Sequence, residues 1–490
     1  MTHSTITTSD DALIVPTGER MDRKLASSTP LLLANLVEAF APLLRNIALA
    51  HFLPPEQFGL AISLAVVIGL VEVLSDFGLP IFAVRKPEAL PSAGAMATLQ
   101  SMALIRSAWL ALILIVISPL VAHVFAAPSS IWLYALLGPV VLMRGFENLG
   151  VKEMVRRYAF TREALVIASS QIVGLAATVA AAMMGAGMAA MIIGMTAAAA
   201  VTLLLSHLLS PIPYRLGWQP ETAREAAAFG RPLLLNGAAV ALTTCDRLLV
   251  GAWLGPAALA LYNVAYGTAT LPRSILARFL TSAFLPLFVE QRDRNKAAGP
   301  LLDAWVLCLS AIAFLYGWSL ALLGDRALGL VFGSTYQPSR LFMCLAGISV
   351  GVKILLLLPS PAAYANGTTR LISWGSILSA ISILPAALCL YLGRNLELFI
   401  FVAALSEFGA LLVLSHLAGR AFAFTPGILA FAVASPFVPV AALGLLAFIS
   451  PAMPFAEWLA ACSAVLVCVL AVYGLVLRRT GAGSILLAQA

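Results

Sequence analysis

Residues 30–54 read PLLLANLVEAFAPLLRNIALAHFLP, and residues 232–256 read PLLLNGAAVALTTCDRLLVGAWLGP. The two stretches align without a gap from the opening Pro-Leu-Leu-Leu to the closing proline, and Arg45 falls on Arg247. Each stretch is apolar and longer than the ~20 residues that a helix needs to cross the hydrocarbon core of a bilayer. We interpret them as two copies of one transmembrane helix, which predicts an internal duplication of the chain.

The composition of the whole chain indicates a membrane protein. Of its 490 residues, 61% are hydrophobic and only 10% are charged, against about 25% charged residues in an ordinary soluble domain. The mean hydropathy is +0.98. No soluble fold can hide this much apolar surface, which excludes a soluble enzyme, a secreted disulfide scaffold and a disordered chain. The net charge of +7 is attributed to basic loops facing the cytoplasm, and no nucleic-acid partner is expected.

Apolar stretches of membrane-spanning length recur along the chain, and we count fourteen of them. Their predicted limits are 27–51, 57–79, 99–122, 131–149, 163–184, 187–209, 229–253, 257–287, 301–323, 338–364, 370–392, 396–417, 425–449 and 455–477. Most of the 29 Lys and Arg residues then lie on the side of the membrane that holds the N-terminus. By the positive-inside rule this side is the cytoplasm, and both termini are predicted to be cytoplasmic.

The duplication predicts how these helices are arranged. The offset of 202 residues between the two copies spans six predicted helices, so both copies cross the membrane in the same direction. This predicts an all-α polytopic membrane protein with two parallel, pseudo-symmetric six-helix lobes and two added C-terminal helices. The predicted units are a cytoplasmic tail, an N-lobe, a C-lobe, and a C-terminal pair of helices with a short cytoplasmic tail, at residues 1–26, 27–210, 211–422 and 423–490.

Basic residues lie inside the predicted spans, where a charge costs about 2.5–3.5 kcal/mol and usually faces a cavity or a partner. Arginine binds phosphate oxygens through two parallel hydrogen bonds, and lysine adds a point charge. We therefore predict a central cavity between the lobes that binds an anionic, phosphate-bearing substrate. Snorkelling to the interface is the alternative for Arg45 and Arg247. The predicted substrate-binding residues are Arg45, Arg247, Arg273 and Lys353, and the polar residues predicted to line the same cavity are Asn35, Asn236 and Tyr266.

Two acidic residues inside the spans are candidates for coupling transport to an ion. Glu38 lies near the middle of the first predicted helix, and Asp246 adjoins Arg247 in the seventh. The alternative for Glu38 is a structural ion pair with Arg45 or another cation, and for Asp246 a structural pair between helices or lobes. Glu407, in the twelfth predicted helix, receives no role from the sequence.

No motif of a catalytic or metal site occurs in the sequence. The five histidines are scattered, the six cysteines have no metal-ligand spacing, and neither a nucleophile elbow nor a phosphate-binding glycine loop is present. No enzymatic activity, metal or cofactor is therefore expected. Energy for transport is expected from a proton or cation gradient or from the membrane potential, which is worth about 2.3 kcal/mol per charge per 100 mV.

Two stretches carry a resemblance to a known family. Residues 53–86 read LPPEQFGLAISLAVVIGLVEVLSDFGLPIFAVRK and resemble the opening of the polysaccharide flippases. These belong to the multidrug/oligosaccharidyl-lipid/polysaccharide exporter superfamily. Residues 229–288 are more similar still, through five short motifs of that family: Phe229-Gly230, Asp246-Arg247, Leu254-Gly255, Leu261-Tyr262 and Phe284-Leu285-Pro286.

The resemblance implies a function. It implies that the chain flips oligosaccharides linked to undecaprenyl pyrophosphate across the bacterial plasma membrane, for O-antigen, capsule or exopolysaccharide assembly. It also implies a V-shaped fold with alternating access, and association with polysaccharide polymerase or export machinery. The pyrophosphate would meet the cavity cations, the sugars would fill the lumen, and the lipid tail would stay in the bilayer. Fourteen helices instead of twelve leave the last pair without a clear role.

Two other functions are the alternatives. A multidrug/cation antiporter of the same superfamily predicts acidic, not basic, cavity residues and twelve helices. A membrane-embedded polysaccharide polymerase or ligase needs a sizeable outside loop with catalytic side chains, whereas the predicted outside loops are short.

Overall fold

The computed structural model describes residues 18–85, 93–152, 160–273, 276, 284, 287–290, 299–366 and 370–480. Side chains at 18–28, 84–85, 93, 235–236, 370, 372–373 and 477–480 are outside this description. The described chain consists of helices and their connections. We call the end of the bundle at which the first helix begins the inner end, because the sequence predicts it to face the cytoplasm, and the opposite end the outer end.

Seven helices form the N-terminal part of the bundle. They are α1 Gly18–Phe52, α2 Pro55–Leu74, α3 Leu79–Arg85, α4 Ala93–Val124, α5 Ile131–Gly145, α6 Thr161–Met183 and α7 Ala189–Leu209. Helix α1 packs on α6, α4 on α5, and α6 on α7. A short extended linker then leads to the second part of the chain.

The second part repeats this arrangement, with more interruptions. Its helices are α8 Pro220–Thr244, α9 Asp246–Leu254, α10 Pro256–Tyr262, α11 Gly299–Phe332, α12 Arg340–Leu355, α13 Ser360–Ala365, α14 Arg370–Ile381, α15 Ile383–Gly393 and α16 Leu396–Ala421. Helix α10 continues through a π-helical turn, Asn263–Gly267, and remains helical to residue 273. We call this continuous element the 256–273 helix.

Three helices complete the described chain: α17 Pro426–Ala434, α18 Phe437–Ile449 and α19 Phe455–Thr480. They pack against α11 and α12. The indole of Trp318 on α11 donates to the Cys462 carbonyl (2.9 Å), and the indole of Trp458 on α19 donates to the Ala321 carbonyl (3.1 Å). These reciprocal hydrogen bonds fasten the last helix, α19, to α11 of the C-lobe.

The predicted fold class is confirmed. Within the described residues, twelve stretches are helical, long and apolar enough to cross a membrane, and each matches one of the fourteen predicted spans. Of the other two, the span predicted at 131–149 contains α5, which has only 15 residues. The span predicted at 257–287 lies only partly within the described residues. The predicted domain limits stay a prediction.

The duplicated stretches occupy equivalent helices. Helix α1 runs from residue 18 to 52, and α8 with α9 runs from 220 to 254, so both limits differ by the same 202 residues as the sequence repeat. The second copy differs because it breaks at Cys245, between α8 and α9. The break places Asp246 in the first turn of α9.

The two lobes meet tightly at the outer end of the bundle. A side chain at Gly59 on α2 would overlap the carbonyl oxygen of Pro256 at the start of α10. The hydroxyl of Tyr336 donates to the Leu53 carbonyl (3.0 Å), and its ring meets Phe58 edge-on at 5.4 Å. Burial raises the pKa of Tyr336 to about 12, so this hydroxyl remains a donor at physiological pH. The outer end is therefore closed in this conformation.

The linker between the lobes is pinned to the N-lobe by buried polar side chains. Asn148, 2% exposed, donates through Nδ2 to the Ile212 carbonyl (2.9 Å). Its Oδ1 accepts from Gln100 Nε2 (2.9 Å) and from the Gly150 amide (2.9 Å). Gln100 in turn accepts the Arg215 amide at 3.0 Å. The buried side-chain amide of Asn148 thus holds the start of the linker against the N-lobe.

Replacing Asn148 with alanine is expected to destabilise the protein by roughly 2–5 kcal/mol, because buried donors and acceptors lose their partner. The apparent melting temperature of the purified protein in detergent should fall by several degrees. Asn35→Ala is the matched control, because the Asn35 side chain is exposed. Equal melting temperatures for the two variants would show that this network does not stabilise the fold.

Candidate functional site

A polar cavity of about 190 Å³ lies within the C-lobe, lined by residues of α8, α9, the 256–273 helix, α12, α14, α15 and α16. It brings together five of the residues predicted to form the site. They are Asp246, Arg247, Tyr266, Arg273 and Lys353, and Glu407 joins them. Three cations therefore line one cavity with two carboxylates.

The π-helical turn positions the aromatic side of this cavity. Tyr266 is in the turn and stacks on Tyr262, with ring centroids 5.1 Å apart. The Tyr262 hydroxyl donates to Asp246 Oδ2 (2.7 Å), while Asp246 Oδ1 accepts the Arg247 amide (2.8 Å). A π-helical turn rotates the residues after it relative to those before it, and such turns are frequent at functional sites. Here it lets two tyrosines of one helix bond to different side chains, Tyr262 to Asp246 and Tyr266 to Lys353.

Lys353 is held by a carboxylate that the sequence left unassigned. Its Nζ lies 3.0 Å from Glu407 Oε1 and donates to the Tyr266 hydroxyl at 2.7 Å. Ser349, one turn before Lys353 on α12, donates to Glu407 Oε2 at 2.7 Å. The Tyr266 and Ser349 hydroxyls are also 2.7 Å apart. Lysine, glutamate, tyrosine and serine thus form a closed ring of polar contacts.

The two arginines of the cavity differ in their anchoring. Arg273 Nε donates to the Lys353 carbonyl at 3.2 Å, which fixes the base of the guanidinium. Its two terminal nitrogens have no hydrogen-bond partner among the described residues and can donate to other acceptors. Arg247 is half-buried and lies near Gly267. Two guanidinium groups and an ammonium around one small cavity are the donors that bind phosphate oxygens.

The remaining predicted residues lie outside this cavity. Arg45, on α1, is half-buried, and its Nε is buried without a hydrogen-bond partner among the described residues. Asn35 and Glu38 have exposed side chains, and Glu38 forms no ion pair with Arg45 in the part of the chain that the structure describes. The Asn236 side chain lies outside the described residues. Among the described residues, the cations that line this cavity belong to the C-lobe, and a substrate role for Arg45 stays a prediction.

An apolar groove of about 690 Å³ lies on the other side of the 256–273 helix. Its walls come from α1 of the N-lobe, from the 256–273 helix and from α11. They include Phe40, Leu43, Thr268, Leu271, Pro272, Ile312, Leu315 and Tyr316. The groove thus lies between the lobes, whereas the polar cavity lies within one lobe.

Sequence reasoning missed Glu407, Ser349 and Tyr262. The signal for Glu407 was present, because a carboxylate in the middle of an apolar helix needs a cation or a proton. Lys353 was the matching cation in the interior of α12, whose other basic residue, Arg340, is its first. Serine and tyrosine gave no comparable signal, because both occur widely in membrane helices. Among the described residues, no group of three or more His, Cys, Asp and Glu side chains is placed to hold a metal ion.

The helices and the cavity define a multi-pass membrane protein with a cationic site inside its C-lobe. Residues 48–341, more than half of the chain, match the model of a family described as "Polysaccharide biosynthesis protein". The chain therefore belongs to this family, and the resemblance seen in the sequence is confirmed. No curated protein matches the chain in sequence.

Solved structures show the fold independently. The chain is similar to the lipid II flippase MurJ in an inward closed conformation, with a TM-score of 0.69 at 10% identity, over 93% of this chain and 99% of that one. It is also similar to an inward-facing multidrug resistance MATE family transporter of the MOP superfamily. That match has a TM-score of 0.54 at 13% identity, over 78% of this chain and 94% of the other. At such identities the likeness concerns the fold alone.

Proposed function

We propose that the chain is a flippase that moves oligosaccharides linked to undecaprenyl pyrophosphate across the bacterial plasma membrane. The glycans serve surface polysaccharide biosynthesis, such as O-antigen, capsule or exopolysaccharide. Family membership supports the link to polysaccharides, and the fold shared with MOP-superfamily transporters supports transport by alternating access. Both termini face the cytoplasm in this proposal.

The observation that carries the proposal is the two-sided character of the 256–273 helix. Tyr266, Thr270 and Arg273 face the cationic cavity, whereas Leu271 and Pro272 face the apolar groove. A lipid pyrophosphate has the same two-sided character, with an anionic head and an apolar tail. The head would bind the guanidinium and ammonium groups, and the tail, which has to pass around this helix, would lie in the groove beside α1.

The cavity volume constrains how this occurs. Ligand sites for drug-sized molecules occupy about 300–1,000 Å³, whereas this cavity has about 190 Å³. It can accept the phosphates but not the sugars while the lobes are closed. The sugars would therefore lie outside the cavity, in a space between the lobes that opens at the inner end during transport, and Arg45 would face that space.

The charge of the site favours this function over the alternatives. A multidrug/cation antiporter needs an acidic cavity, but here three cations face two carboxylates. A polymerase or ligase needs a large outer loop, but the described outer connections are short, as between α1 and α2 or between α9 and α10. Coupling by Glu38 or Asp246 to a proton or cation gradient, and association with polymerase or export machinery, stay predictions.

Deleting the gene in its own bacterium tests the proposal. Surface polysaccharide should be lost, and undecaprenyl-pyrophosphate-linked repeat units should accumulate on the cytoplasmic leaflet, because synthesis continues without transfer. Lipid extraction and mass spectrometry measure the accumulation, and protection of the glycan from an added glycosidase in intact spheroplasts gives its side. Expression of the wild-type chain should reverse both effects. Loss of surface polysaccharide without accumulated precursor would contradict a flippase.

A further inference from the structure

We propose that Glu407 is a substrate-linked proton acceptor. When an anionic lipid head draws the Lys353 ammonium away, the Glu407 carboxylate takes up a proton. This role rests on the function proposed above. It names the residue that compensates the charge of the bound substrate during transport.

The two carboxylate oxygens of Glu407 have different partners, one a cation and the other a hydroxyl. One oxygen binds Lys353 Nζ at 3.0 Å, and the other accepts the Ser349 hydroxyl at 2.7 Å. The Tyr266 hydroxyl bonds to both the ammonium and the serine, each at 2.7 Å. If the ammonium leaves, the Ser349 hydroxyl remains as the partner of Glu407, and the Tyr266 hydroxyl remains bonded to that serine. A hydroxyl can donate or accept, so Ser349 can satisfy a neutral carboxylic acid as well as a carboxylate.

The depth of the pair makes an unpaired carboxylate costly. Glu407 lies 11 residues after the start of α16, which is about 16 Å along the helix at 1.5 Å per residue. The hydrocarbon core is about 30 Å thick, so Glu407 is near its middle, and it is only 7% exposed. A buried charge without its counterion costs several kcal/mol, and such a group neutralises itself instead.

The charge balance of the cavity points the same way. Arg247, Arg273 and Lys353 are opposed by Asp246 and Glu407, which leaves one positive charge for a ligand. Each phosphate of a pyrophosphate diester carries one ionised oxygen at neutral pH, so the head is a dianion. One proton on Glu407 restores neutrality when the head is bound. Asp246 is the weaker acceptor, because its hydrogen bonds from Tyr262 and from the Arg247 amide do not depend on a cation that moves.

The step involves no change of covalent bonds apart from the proton. The ammonium moves its N–H donors from Glu407 to a phosphate oxygen, and a proton from water binds Glu407. The ionisable groups around Glu407 are Lys353 on α12, Tyr266 and Arg273 on the 256–273 helix, and Asp246, Arg247 and Tyr262 across the cavity. Lysine, arginine and tyrosine side chains ordinarily hold their protons at neutral pH, so among these groups only the carboxylates can take one up.

The coupling between proton binding and substrate binding determines which gradient can drive export. Proton and substrate bind together, so each tightens the binding of the other by the same factor. An inward proton gradient would then oppose export through this site, since the proton would leave with the substrate. The membrane potential, negative inside, would drive the anionic head outward. The exchange therefore compensates charge and does not supply the driving force.

Calorimetry on the purified full-length chain in nanodiscs tests the proposal. The probe is citronellyl-pyrophosphoryl-N-acetylglucosamine, a short-chain diester whose phosphates do not titrate near neutral pH. Binding enthalpies in two buffers of different ionisation enthalpy give the protons exchanged. We expect the wild-type chain to take up close to one proton per bound probe near neutral pH, and its Kd to fall by up to tenfold per unit of decreasing pH. Glu407→Gln should bind without proton uptake and with a Kd independent of pH.

Glu457→Gln is the matched control, since Glu457 is exposed at the outer start of α19, and it should behave as the wild type. If the wild-type chain binds the probe without proton uptake, the proposal is overturned, whether or not the Glu407 variant folds. Equal uptake by the wild type and by folded Glu407→Gln overturns it as well. In both cases the flippase function stands. If the wild-type chain does not bind the probe, the proposed function itself fails.

Discussion

Replacing Arg247 and Arg273 together with alanine is expected to weaken binding of a lipid pyrophosphate by about 10²- to 10⁴-fold. A hydrogen bond to a charged group contributes about 1.5–3 kcal/mol, and each 1.4 kcal/mol is tenfold in affinity. Both guanidinium groups line the same small cavity, so the two losses fall on one ligand. Calorimetric titration with citronellyl-pyrophosphoryl-N-acetylglucosamine measures the effect.

Two further variants serve as controls for this measurement. Arg326→Ala removes a guanidinium that lies over the Phe455 ring, far from the cavity, and it should leave the Kd unchanged. Arg273→Lys keeps the charge but loses the paired donors, so its Kd should lie between those of the wild type and Arg273→Ala. If the double alanine variant binds as tightly as Arg326→Ala, the cavity is not the pyrophosphate site.

The sequence predicted the helices because membrane helices follow from length and composition alone. A run of apolar residues has to be helical in lipid, since no water is present to satisfy its backbone. The repeat added direction, because the Pro30 and Pro232 copies cross the membrane the same way. The break at Cys245 in the second copy had no comparable signal.

The membership of the site was predictable only in part. Arg247, Arg273, Lys353, Asp246 and Tyr266 were identified because polar side chains in apolar helices are rare, and they do share one cavity. Their partners depend on how α12 and α16 are rotated against each other. The Lys353–Glu407 contact joins residues 54 positions apart, and one sequence carries no information on that rotation. Arg45 is equivalent to Arg247 in sequence, but not in its surroundings.

The closed outer end also had no sequence signal. Glycines are common in membrane helices, and nothing distinguishes Gly59 from Gly69 on the same helix by composition. In the structure they differ completely. A side chain at Gly59 would overlap the Pro256 carbonyl, whereas a side chain at Gly69 would meet no atom within 4 Å. Gly59 therefore permits the contact between α2 and α10 that closes the outer end.

Gly59→Val is accordingly expected to open the outer end and to stop glycan export. Overpacking of a close contact costs about 1–3 kcal/mol, which corresponds to a shift of about five- to 150-fold from the closed to the open conformation. Phe332→Cys, placed at a buried outer position (2% exposed), reports the change. Its labelling by a membrane-impermeant maleimide on intact cells, resolved by mass spectrometry of the peptide, should accelerate by that factor.

Gly69→Val separates this closure from a general effect of valine on α2. Both substitutions add the same side chain to the same helix, but only the one at Gly59 meets the C-lobe. Labelling at position 332 and surface polysaccharide should both remain at wild-type levels in the Gly69 variant. If the Gly59 and Gly69 variants label equally fast, the contact with Pro256 does not control access from outside. The lobes would then have to close through Tyr336 and Phe58 instead, whose ring contact lies beside the same seam.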